Sequence, residues 1–86
     1  MAGISLLDTL KGLKLTNRRA AETALRACQT MLSETGEDCV YLVFGSHDEV
    51  AVGKNETIES LKVKFDAMRK TGHDTIDGYR RDGHRY

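Results

Sequence analysis

The 86-residue chain has no proline and no tryptophan, only two cysteines, three tyrosines and two phenylalanines. Without proline, the breaks between elements fall to its eight glycines. Cys28 and Cys39 belong to no Cys-x-x-Cys pair, which argues against a zinc ribbon and predicts two free thiols. The longest apolar run, Val40 to Phe44, falls far short of the roughly 20 residues a membrane helix needs. Met1 to Leu10 has neither the basic start nor the apolar stretch of a secretory signal, so a cytosolic chain is expected. Neither sign of charge dominates, with 13 basic and 13 acidic side chains, which argues against a generic nucleic-acid binder. The length holds one domain with a small core, and 40% apolar residues with 30% charged exclude full-length disorder.

The zero net charge hides a layout. Residues 1–32 carry five basic and two acidic groups, residues 33–66 three basic and eight acidic, and residues 67–86 five basic and three acidic. The chain is therefore basic, then acidic, then basic. Solvated faces account for this, and the sharper alternative is charge complementarity between copies of the chain or with a neighbouring subunit.

Apolar spacing predicts an α+β fold in one small domain. Ser5 is a cap for a short helix bearing Leu6, Leu7, Leu10 and Leu13, ended or weakened at Gly12. Thr16 and Asn17 offer a cap for a second helix over residues 17–34. Its inner face carries Ala21, Ala24, Leu25, Cys28, Met31 and Leu32 at spacings of three and four. Cys39 to Phe44 reads as a strand, Gly45-Ser46-His47-Asp48 as a turn, and Val50-Ala51-Val52 as the returning strand of a hairpin. Asn55 or Thr57 caps a last helix whose inner face is Ile58, Leu61, Phe65 and Met68, closed by Gly72. Glu56 and Glu59 near its start and Arg69 and Lys70 near its end suit the helix dipole. Residues 1–72 form the expected domain. Residues 73–86 hold only Ile76, Tyr79 and Tyr86 as sizeable apolar groups and read as a polar C-terminal arm outside the core.

A search for chemistry returns little. Ser46, His47 and Asp48 are adjacent, whereas a catalytic triad is assembled from residues distant in sequence, so turn chemistry explains them better. Gly53-Lys54-Asn55 lacks the glycine spacing and the Ser or Thr of a phosphate loop. His47, His73 and His84 lack metal-site spacing. Cys28, on a buried helix face, reads as a small apolar residue. The expectation is a protein with no catalytic, cofactor or metal site. The arm is the unusual feature, because Tyr and Arg are the side chains most often found as interface hot spots. Tyr79, Arg80, Arg81, Arg85 and Tyr86, with Arg69 and Lys70 at the end of the last helix, are the candidate partner-binding residues. Local contact of the arm with DNA phosphates is the weaker use of the same arginines.

The helix Arg19 to Arg26, the hairpin around Ser46 to Glu49, the helix entry Thr57-Ile58-Glu59-Ser60-Leu61 and the arm Arg80 to Tyr86 together resemble the W family, the head-to-tail joining proteins of lambda-like phages. The similarity is one of layout over Arg18 to Tyr86. The leucine-rich segment 1–15 is extra, and the hairpin turn is acidic where the family is more basic. The resemblance implies a helix–hairpin–helix domain with a basic, aromatic-ended arm, a homo-oligomer mounted between portal and tail subunits in a virion, and no catalytic site. A small phage-type inhibitor that binds a host enzyme in the host cytoplasm is the alternative the composition allows. Neither reading involves a membrane.

Overall fold

A computed structural model describes residues 10–15 and 18–81 of the chain. Five elements follow in order: helix α1 (Arg18–Thr35), strands β1 (Cys39–Phe44) and β2 (Asp48–Gly53), helix α2 (Ile58–Lys70) and strand β3 (Gly78–Arg81). The strands form one antiparallel sheet in the order β2-β1-β3, which makes this an α+β domain. No helix among the described residues is long and apolar enough to cross a membrane.

α1 forms where its periodic apolar face predicts. Ala21, Ala24, Leu25, Cys28 and Leu32 are buried, joined by Ala20 and Ala27 from the flanks of that stripe. The small residues let the helix lie close against the sheet and α2. Past Thr35 the chain reverses at Gly36, whose φ of 76° is a left-handed conformation that a β-carbon would strain. α2 starts at a reciprocal capping box. The Thr57 hydroxyl accepts from the Ser60 N–H, and the Ser60 hydroxyl accepts from the Thr57 N–H. Behind this cap, the Glu56 carboxylate takes the Ser60 hydroxyl and the Lys64 ammonium, the latter at 2.9 Å. Burial alone pushes the Glu56 carboxyl up, but these donors together outweigh it and hold the group below its ordinary value. Lys64 also donates to the Ala51 carbonyl at 2.8 Å and so covers part of the outer edge of β2.

The core lies between the sheet and the two helices. Val40, Leu42 and Phe44 of β1 and Val50 and Val52 of β2 point into it. They meet Leu61 and Phe65 of α2, with Phe44 and Phe65 edge to face at 6.3 Å between ring centres. Cys28 is fully buried here, and burial pushes its thiol up to about 12. Since only the thiolate reacts readily, a thiol reagent at neutral pH is expected to modify half-buried Cys39 alone. A second equivalent should react only after denaturation, as counted by mass spectrometry. Fast double labelling of the native chain would contradict the packing.

The short N-terminal helix expected from the sequence falls mostly outside the described residues, which leave out Ser5, Leu6 and Leu7. Leu10 lies in a turn of 3₁₀ helix that ends at Gly12, and the chain then runs extended, with Lys14 bridged to Thr75 and backbone hydrogen bonds to Asp74 and Ile76. Leu10 and Leu15 are buried in the core. One expectation from the sequence needs correction, that of a polar arm outside the core. Residues 73–81 are part of the domain: Ile76 is fully buried, and β3 completes the sheet by pairing Gly78 to Arg81 with Val43 to Val40. A lone isoleucine flanked by polar residues suffices because an edge strand is held mainly by backbone pairing.

A candidate protein-interaction surface on the open sheet face

Alternation along β1 puts Cys39, Tyr41 and Val43 on the face away from the helices, and β2 adds Glu49 and Ala51. Among the described residues no helix packs on this side. An antiparallel sheet exposed on one face ordinarily alternates apolar and polar side chains. β1 instead is apolar on both faces.

β3 brings Arg80 onto this surface, directly opposite Tyr41 in the register. The guanidinium lies 4.3 Å from the centre of the Tyr41 ring. It then reaches β2 and forks onto the Glu49 carboxylate, with Nε to Oε2 at 2.7 Å and Nη2 to Oε1 at 2.9 Å. Hydrogen bonding to Arg80 holds the Glu49 carboxyl below its ordinary value. One side chain thus ties all three strands together and flattens a charged plate over an aromatic ring.

The neighbouring positions go elsewhere. Tyr79, opposite Leu42, turns inward and packs against the core. Arg81 forks onto Glu37, at 3.2 and 3.1 Å, whose carboxylate sits almost wholly out of solvent just before β1. Arg69 lies on the far side of the molecule near Asp66 at 3.6 Å, and Lys70 is exposed at the end of α2. Arg85 and Tyr86 lie outside the described residues. The candidate residues therefore do not form one site. Arg80 joins the open sheet face, Arg81 and Tyr79 serve the domain itself, and Arg69 and Lys70 belong to the helical side.

The charge layout also resolves within the chain. Arg80–Glu49 and Arg81–Glu37 both join the basic last segment to the acidic middle one. Part of the complementarity expected between copies is thus satisfied inside one chain.

Near the hairpin turn, His73 Nε2 lies 2.7 Å from Asp48 Oδ2, with its ring tilted against Phe44 at 5.9 Å. The Asp77 carboxylate accepts the Gly45 N–H, and the Asp77 N–H donates to the Val43 carbonyl. These contacts clamp the turn to the approach of β3. Asp48 is therefore paired with a histidine remote in sequence, while Ser46 and His47 remain exposed in the turn. No cluster of three or more His, Cys, Asp or Glu side chains converges as a metal site would, among the described residues. The sequence does not mark Tyr41, Val43 and Ala51 as surface residues, because an all-apolar strand reads as fully buried. The signal was the length of that run beside a hairpin with too few elements to cover both faces.

No protein-family model, curated protein or solved structure matches the chain.

Proposed function

We propose that the chain is a non-enzymatic protein–protein interaction module that docks through the open face of its sheet onto a neighbouring subunit, as a phage virion component joining head and tail. The observation that carries this reading is the double-sided apolar character of β1, with Tyr41 and Val43 outside, Ala51 of β2 beside them, and the helices on the other face. Apolar surface rimmed by charge is the pattern of protein contact sites. Arg80, laid over Tyr41 and fixed by Glu49, adds an aromatic-arginine centre of the kind that dominates interface energetics. The order α1-β1-β2-α2 is the helix–hairpin–helix layout that the resemblance to joining proteins implies, which supports this reading. Arg80 and Arg81 are already engaged by carboxylates, which favours a protein partner over DNA phosphates.

The test measures the mass of the chain in solution, alone and mixed with portal or tail subunits encoded beside it. A complex is expected with one of them. Ala51→Lys, at an exposed position of the outer face, should abolish that complex while leaving the melting temperature of the isolated chain nearly unchanged. A chain that stays monomeric in every mixture at high concentration contradicts the proposal, as does an Ala51→Lys chain that still assembles.

A further inference from the structure

The helical side carries a cleft of about 230 Å³ that the sheet-face reading does not use. Leu15, Ala21 and Phe65 make its floor, and all three are buried. Arg18 enters from the first turn of α1, and Lys62, Asp66 and Arg69 from one face of α2. Its volume lies below the roughly 300–1,000 Å³ typical of small-molecule sites, and suits a single anchoring side chain with its neighbour.

Three of its four charged lining groups are cations. Asp66 lies 3.6 Å from Arg69, and Arg18 is held at the rim by Glu22 at 3.2 Å and Glu59 at 3.9 Å. Lys62, half-buried beside the floor, has no ion partner among the described residues. α1 compounds this imbalance: it opens on Arg18 and Arg19 and has no acidic residue in its first turn. The positive end of its dipole therefore meets cations where a carboxylate would be stabilising. A bare hydrated ion would gain nothing from the apolar floor, so the fitting ligand joins a negative group to an apolar body.

We infer that this cleft is an anchor pocket for an acidic side chain flanked by an apolar one on a partner protein. The inference rests on the protein-interaction reading and goes beyond it by adding a second contact site, on the helical side, with a stated partner chemistry. Lys62, without an ion partner among the described residues, supplies the charge for the carboxylate, Arg18 and Arg69 flank it while paired with their own carboxylates, and Phe65 and Leu15 receive the apolar neighbour.

The full chain, labelled with ¹⁵N, is titrated with three capped tripeptides: glutamate between leucine and phenylalanine, glutamine in the same setting, and glutamate between two serines. The first is expected to shift the amide signals of Ala21, Lys62, Phe65 and Arg69 saturably, and each control to bind about tenfold more weakly. Lys62→Met should erase the preference for glutamate over glutamine without changing the melting temperature. Equal binding of the glutamate and glutamine peptides, shifts confined to the sheet face, or no binding by any peptide would overturn the inference, even where the subunit complex forms. Selective binding of the first peptide by a chain that forms no subunit complex would instead overturn the docking reading alone.

Discussion

Phe65→Ala is expected to lower stability by about 3–5 kcal/mol, read as a shift of the urea midpoint with an unchanged slope. Whole domains of this kind are stable by only about 5–15 kcal/mol, so much of the chain would be unfolded at the upper end of that loss. The reason lies in how little α2 buries. Of its thirteen residues only Leu61 and Phe65 are buried, with Ile58 and Met68 half-buried beside them, so one truncation removes one of its two buried anchors. The lost ring also leaves Phe44 without its edge-to-face partner and opens a void against Ala21. Leu25→Ala, at the margin of the core, should cost about 2 kcal/mol, the low end for such changes. A Phe65→Ala chain within about 1 kcal/mol of the parent would mean that α2 docks by contacts other than these.

Deleting residues 79–86 is expected to abolish cooperative folding. The sequence alone suggests the opposite, because a polar arm can be removed without harm. In the structure the deletion strips three of the four β3 residues from β1, the half-buried Tyr79 ring from the core flank, and the Arg81 fork from Glu37. Each ladder hydrogen bond is worth about 1 kcal/mol net. The Glu37 carboxylate, almost wholly buried, would be left without its cation, and that kind of loss is costlier than the pair was stabilising. What remains of the sheet is a two-stranded hairpin on the helices, with the β3 side of its apolar strand β1 left unpaired. Circular dichroism melting and the spread of amide proton signals report the outcome. A truncated chain that melts sharply, within a few degrees of the parent, would show that β3 is dispensable.

Where side-chain periodicity carries the information, the fold was legible. The helix read over residues 17–34 is Arg18–Thr35, the hairpin falls at its expected place, and Thr57 is the cap of α2. These elements bury a stripe or a face, and burial writes itself into apolar spacing. β3 left almost no such trace. Gly78, Tyr79, Arg80 and Arg81 include one residue that turns toward the core, and the rest of the strand is held by backbone and by ion pairs formed with residues far earlier in the chain. The candidate site was legible in part. Arg80 stood out by residue type, but its setting over Tyr41 depends on a register that no local pattern encodes.

The central position of β1 carries a kinetic consequence. Its first neighbour, β2, follows after a short turn, but its second arrives about forty residues later in the chain, and such non-local pairings slow folding. Until β3 emerges from the ribosome, one full edge of the most apolar strand stands unpaired, the condition under which chains join edge to edge. Delivery of residues 78–81 is therefore the step that closes the window for aggregation. A chain cut just before Gly78 would yield insoluble product out of proportion to the four strand residues lost.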